Sequence, residues 1–179
     1  MKPFVTWITG LPGSGKTTLA QHAYRWMEGN EVKAVHIDAD LWWTVVHDHI
    51  ESDHNTSARW HNIQQLVKFT RSLLALGYCV ITDTVAPLYE LREYARKEIE
   101  QDANFYEVLL RCPIHTCEAR KPEGYVKARS GEFKSYPGVH VLYEESPQYD
   151  LSVSTDEVGE CETLFTLREL LRSREGISE

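Results

Sequence analysis

Long apolar runs are missing from this sequence, and none approaches the length needed to cross a bilayer. Cysteine is sparse: Cys79, Cys112, Cys117 and Cys161 are scattered and form no C-x-x-C pair, which excludes a disulfide scaffold. Cys112, His115 and Cys117 lie close together, but their spacing is wrong for the common zinc fingers. Basic residues are outnumbered, 19 Lys and Arg against 27 Asp and Glu, for a net charge of −8. A general nucleic-acid or membrane-surface binder needs a basic face, so neither partner is expected and any positive site must be local. Repeats, linkers and low-complexity segments are absent as well. Met1-Lys2-Pro3 leads directly into the first expected strand and leaves no room for a signal peptide. A cytoplasmic protein with free thiols is the expectation.

What is present is ordinary in bulk and specific in one place. With 179 residues, 42% hydrophobic and 26% charged, the chain is expected to form a single domain over 1–179 with an unstapled core. Gly10-Leu11-Pro12-Gly13-Ser14-Gly15-Lys16-Thr17 satisfies G-x-x-x-x-G-K-[ST] in full. Phe4 to Thr9 before it reads as a β-branched and aromatic strand, and Thr18 to Met27 after it as a helix. That context turns a glycine pattern into a phosphate cradle. The glycines let several N–H groups point inward, and the helix N-terminus adds partial positive charge. Gly10, Pro12, Gly13, Ser14, Gly15, Lys16, Thr17 and Thr18 are therefore expected to hold ATP, with Lys16 on the β- and γ-phosphates rather than packed, and with the Thr17 hydroxyl on Mg²⁺.

Further along, apolar runs alternate with helical patterns, the signature of a parallel sheet flanked by helices in three α/β layers. Strands are expected at Val32–Ile37, Tyr78–Thr82, Phe105–Arg111 and Leu151–Val153. From Ala58 to Leu76, Ile63, Leu66, Val67, Thr70, Leu73 and Leu74 fall at helical spacing, and Gly77 supplies the stop. Pro87 should open a helix, Pro113 to Arg120 should form a short one, and Ser154 with Glu157 should cap the last, through Leu171. In such sheets ligands gather at the carboxyl ends of the strands. The glycine loop, Asp38, Asp40 and Asp83 all fall there.

The chain resembles the adenylylsulfate (APS) kinases over nearly its whole length. The likeness rests on Trp7 to Leu11 with the P-loop, Asp38-Ala39-Asp40, Arg59 with Asn62-Ile63, Ala86-Pro87, Arg92 and Glu107-Val108. It continues through Cys117 to Arg120, Lys127 to Phe133, and Tyr143-Glu144. The resemblance implies a P-loop NTPase fold of the nucleotide-kinase kind, with a lid over approximately 120–138. It also implies Mg·ATP-dependent phosphorylation of the 3′-hydroxyl of adenosine 5′-phosphosulfate, usually by a homodimer. By the same likeness Asp38 and Asp40 handle the metal and the acceptor hydroxyl, and Arg59 and Asn62 hold the acceptor. Several positions depart from the pattern. Trp43 replaces an acceptor-binding arginine, Glu51 to Asn55 replaces Gly-Phe-Ser, and Gln64 and Gln65 replace paired arginines. Ala86 replaces a serine and Lys121 an aspartate. Losing one charge-assisted contact typically costs about 1.5–3 kcal/mol, so the acceptor half of the likeness is eroded while the catalytic half is intact.

Phosphoryl transfer asks for an aligned hydroxyl, neutralised charge and excluded water. Asp38 and Asp40 can divide metal holding and proton acceptance between them. Asp83 has the form of a metal-orienting acid at the end of a neighbouring strand, where the family usually carries a small residue. Arg120 can stabilise transition-state charge; Arg129 can close over the nucleotide, and Lys127 over the acceptor or the base. His47, His49, His54 and His61 match no metal template and read as surface or packing residues. Trp42 and Trp60 read as packing residues or acceptor-pocket walls, and Trp43 as either pocket wall or core. Three functions remain: APS kinase, a kinase of the same architecture for a less anionic hydroxyl acceptor, and a silent ATP-binding regulatory module. The absence of N-K-x-D disfavours GTPase switching, and the retained acids disfavour silence.

Overall fold

The first strand is buried over its whole length, which only a sheet covered on both faces allows. The computed structural model describes residues 1–46 and 56–177, the side chains of 43–46 excepted. Its elements run β1 (Phe4–Gly10), α1 (Lys16–Gly29), β2 (Ala34–Asp38), α2 (Ala39–Val46), α3 (Thr56–Ala75) and β3 (Cys79–Asp83). They continue as α4 (Tyr89–Ile99), β4 (Asn104–Arg111), α5 (Ile114–Arg120), α6 (Pro122–Arg129), β5 (Leu151–Ser154) and α7 (Glu160–Glu175). The strands form one parallel sheet in the order β2-β3-β1-β4-β5.

Side chains alternate across a strand, and the two faces of β1 feed two cores. Phe4 and Ile8 pack with Leu19, Ala23 and Met27 of α1 and Leu167 and Leu171 of α7. Val5 and Trp7 pack with Ile63, Leu66 and Leu74 of α3 and Leu91 and Ala95 of α4. This is the three-layer P-loop fold that the alternating pattern implies. Helix α3 stops where Gly77 takes φ +83°, a conformation that costs glycine little. Among the described residues no helix is long and apolar enough to cross a membrane. Cys79, Cys112, Cys117 and Cys161 are free thiols, and Cys79 packs in the first core as a small hydrophobe.

Two local expectations need correction. Helix α4 starts at Tyr89, not Pro87. The Pro87 carbonyl instead accepts the Glu144 N–H at 2.8 Å, and the Glu144 carboxylate accepts the Tyr89 N–H at 2.8 Å, so a distant residue satisfies the first orphan donor of the helix. The expected cap of the last helix is not formed. The Ser154 carbonyl accepts the N–H groups of Glu157 and Val158 in a turn, and α7 begins only after Gly159, with no side-chain cap. Ser154 is held in register with Arg111 as the last residue of β5, and the strand outcompetes the cap. The polar stretch expected as a lid is half helical, since α6 covers 122–129 with Pro122 in its first turn, where proline is tolerated.

Candidate active site

A cleft of about 540 Å³ opens above the carboxyl ends of the strands, lined by Pro12 through Leu19, Asp40, Arg120, Lys121 and the segment after β5. Its floor is the glycine loop. Gly13 takes φ +86°, and a Cβ there would lie 2.5 Å from the Cys117 carbonyl oxygen. Gly15 takes φ +97° and no side chain caps α1, so the first N–H groups of the helix face the cleft unclaimed by a capping group. Three of the loop carbonyls have hydrogen-bond donors of their own. Pro12 O accepts the Tyr125 hydroxyl at 2.8 Å, Ser14 O the Thr155 hydroxyl at 3.0 Å, and Leu11 O the Ser14 N–H at 3.1 Å. Among the described residues Ser14 Oγ is fully buried and has no partner, and it lies against Gly10, 2.8 Å from where a Cβ there would stand.

Lys16 departs from its expected exposure: it is 7% exposed and its Nζ donates to the Leu11 carbonyl at 2.9 Å. Burial pushes its pKa down from the ordinary value, against the opposing pull of the Asp40 and Asp83 carboxylates, while nearby Lys121 lowers it further. It still borders the cleft. Thr17 donates its hydroxyl to Asp83 Oδ2 at 2.5 Å, and His36 Nε2 meets Asp83 Oδ1 at 2.7 Å. Asp38 is the register partner of Asp83 on the adjacent strand, and its Oδ1 accepts the Leu41 N–H at 3.0 Å, which caps α2. Asp40, exposed in the first turn of α2, lines the cleft, whereas Asp38 and Asp83 are not among its lining residues. The structure thus brings Lys16, Thr17, Asp38, Asp40 and Asp83 to one strand edge.

The expected cations separate into two groups. Arg120 lines the cleft and is fixed by Thr155, through the hydroxyl at 3.1 Å and the carbonyl at 2.7 Å. Arg129 is outside the lining residues and makes two hydrogen bonds to Glu118, at 2.9 and 2.8 Å. Lys127 pairs with Glu132 at 3.1 Å. On the α3 side, Arg59 Nη2 donates to the Ser135 carbonyl at 2.5 Å, tying α3 to the segment after α6. Asn62 Oδ1 is buried without a partner among the described residues. Tyr136 stacks on Phe133 with ring centroids 5.9 Å apart, and burial with the nearby Asp40 charge pushes its hydroxyl up to about 12.

Trp42 stacks on Phe69 and Trp60 meets Tyr94 edge-on, both against the α3–α4 core. The side chain of Trp43, together with Glu51 to Asn55 and His47, His49 and His54, lies outside the described residues. Sequence reasoning missed Lys121, Thr155 and His36. Thr155 directly follows a strand end, a signal that the strand-end rule could have used. His36 shares a sheet face with Asp38 by simple alternation.

The buried Ser14 hydroxyl, the uncapped α1, three nearby cations and the cleft volume fit a nucleoside triphosphate, and the Thr17–Asp83 pair fits a hard, oxygen-seeking Mg²⁺. Residues 2–154 match the family model described as adenylylsulphate kinase. The chain is 37% identical over 155 residues to a probable adenylyl-sulfate kinase of Archaeoglobus fulgidus, covering 86% of this chain and 97% of that one. It is 32% identical over 176 residues to the adenylyl-sulfate kinase of Staphylococcus haemolyticus, covering 97% and 86%. Among solved structures it is similar to the Mycobacterium tuberculosis APS kinase CysC in complex with AMPPNP and APS. The TM-score is 0.88 at 28% identity, covering 96% of this chain and 98% of the other. With this strand order, glycine loop and set of strand-end acids, the chain belongs to the adenylylsulphate kinase family.

Proposed function

We propose that this protein transfers the γ-phosphoryl group of Mg·ATP to the 3′-hydroxyl of adenosine 5′-phosphosulfate. The observation that carries the reading is the meeting of Lys16, Thr17 and Asp40 in a cleft that Arg120 and Lys121 also border, with the buried Asp83 bonded to Thr17 beside it and Asp38 as the register partner of Asp83. Bound Mg·ATP supplies the phosphoryl group and a divalent charge on its oxygens. The inward N–H groups of the glycine loop, Ser14 and Lys16 hold and orient the triphosphate; Thr18 borders it and Arg120 faces it. Thr17 offers an oxygen lone pair to the metal, because its proton is already committed to Asp83. Asp40, an exposed acid that lines the cleft, accepts the proton of the acceptor hydroxyl. Asn62, whose carbonyl oxygen has no partner among the described residues, and Arg59 position the acceptor from α3. Asp40→Asn should lower kcat by about 10²–10⁴-fold with the Kd for Mg·ATP nearly unchanged. Loss of nucleotide binding without loss of kcat would make this acid structural.

One observation favours a second reading, a less anionic acceptor. Arg59 is engaged by the Ser135 carbonyl, and Lys127 and Arg129 are paired with Glu132 and Glu118. The positive charge on that side is therefore already shared with protein oxygens. A screen of hydroxyl acceptors with labelled ATP separates the two. APS is expected to give a phosphorylated product at micromolar concentration, and failure with APS alongside turnover of another alcohol would transfer the assignment to that alcohol.

A further inference from the structure

Thr17, Asp83 and His36 come from three elements, α1, β3 and β2, and meet in one hydrogen-bonded line. Asp83 is 3% exposed. Its Oδ2 takes the Thr17 hydroxyl proton at 2.5 Å and its Oδ1 lies 2.7 Å from His36 Nε2. An ionised carboxylate only accepts, so Nε2 carries the proton of that bond. We propose that His36 is a positioning residue for the magnesium site, aiming the Asp83 carboxylate at Thr17. This rests on the reading of the cleft as a Mg·ATP site.

The physical argument runs through orientation. A hydroxyl binds a metal through a lone pair, so its proton must be directed elsewhere; Asp83 receives it and thereby turns the lone pairs of Thr17 towards the cleft. A carboxylate held by one donor alone can rotate. The bond from His36 to the second oxygen removes that freedom. It also occupies an oxygen that the buried Lys16 ammonium, whose charge interacts with Asp83, could otherwise claim. If Lys16 were drawn onto Asp83, it would leave the phosphates. His36 is placed for this by the pleat: it lies two residues before Asp38 on β2, on the face that meets α1, and its register partner Ile81 lies two residues before Asp83. Partners that orient metal ligands typically change metal affinity by about 10–100-fold when removed.

The test is calorimetric titration of the full-length protein with ATP, in EDTA and in Mg²⁺, for wild type, His36→Phe and His36→Gln. Mn²⁺ binding in the presence of ATP, read by electron paramagnetic resonance, provides a second readout. Wild type should gain affinity for ATP on adding Mg²⁺. In His36→Phe the metal-free affinity should stay within about threefold, while the gain from Mg²⁺ falls by about tenfold or more. His36→Gln, which still offers an N–H, should recover most of that gain. Asp83→Asn should share the His36→Phe signature and stands in if the aromatic variant does not fold. A full Mg²⁺ gain in His36→Phe or Asp83→Asn overturns the positioning role alone. A loss in His36→Gln equal to that in His36→Phe also overturns it, because packing rather than the donated bond would then matter. Wild-type protein that binds ATP under neither condition would overturn the nucleotide reading and this role with it.

Discussion

Lys16→Ala is expected to lower turnover by about 10²–10³-fold, the usual loss when one preorganised donor to developing charge is removed, while the protein stays folded. The first half follows from position. Lys16 borders the cleft at the start of α1, with Lys121 and Arg120 as the nearby cations, and neither of those follows the glycine loop directly. The second half follows from its partners. Nζ donates a hydrogen bond to the Leu11 carbonyl, a charge-assisted contact worth about 1.5–3 kcal/mol, but its removal also relieves the cost of burying a cation. The pH dependence has a definite sign. Because burial lowers the pKa below the ordinary 10.5, the unfolded chain holds this proton more tightly than the folded one. The cost is present in full below the folded value and is relieved as pH rises through it towards 10.5. Lys16→Ala should therefore flatten the rise of stability on the alkaline side. Steady-state kinetics and thermal melts at several pH values check both halves. Turnover within tenfold of wild type would remove Lys16 from the chemistry.

That lysine also shows where sequence reading succeeds and where it stops. The glycine loop was legible because its residues are contiguous and because strand, loop and helix must follow in that order for the backbone to form a cradle. The five strands were legible because parallel strands covered on both faces read as short apolar runs. Neither argument reaches contacts that depend on how elements meet. Burial of Lys16 depends on Leu11 curling back over its ammonium, and the tie from Tyr125 to Pro12 links α6 to a loop 113 residues earlier. The Asp83 carboxylate was visible as a strand-end acid, but its bonds to Thr17 and His36 exist only because β3 lies between β1 and β2. The caps failed for a related reason. Pro87 and Ser154 carry good local signals, yet Glu144 and the β4–β5 register decide those termini. Arg59, Lys127 and Arg129 were matched by position, and only the structure shows that each has a protein oxygen as partner.

The largest stability effect should come from Arg92, a residue that touches neither nucleotide nor cleft lining. Its side chain is fully buried on α4. Nε donates to Glu107 Oε1 at 2.9 Å, Nη1 to the Ala86 carbonyl at 2.6 Å, and Nη2 to the Glu144 carbonyl and to Ser146 Oγ, the last at 3.1 Å. Ser146 in turn donates to the same Glu107 oxygen at 2.5 Å, and the guanidinium lies over the Tyr143 ring, 4.9 Å from its centroid. One planar group therefore joins β4, the loop after β3 and the segment leading to β5. The Ala86 carbonyl it holds belongs to a residue with φ +34°, a strained conformation that persists only when neighbours fix it. Arg92→Met removes the cation but leaves Glu107 2% exposed, with Arg96 3.7 Å from its other oxygen. Breaking a buried pair from one side typically costs about 3–5 kcal/mol, which lowers Tm by about 6–20 °C in a domain of this size. Arg92→Lys should recover little, because a point charge cannot serve four acceptors lying around a plane. The double variant Arg92→Met with Glu107→Gln should recover part of the loss, since no ionised group is then stranded. Circular-dichroism melts of the three variants test the assignment. A Tm for Arg92→Met within about 2 °C of wild type would mean, at 2–4 °C per kcal/mol, that the network contributes no more than about 1 kcal/mol, and the loop after β3 would then owe its shape to Thr9, which donates to the Val85 carbonyl at 2.8 Å.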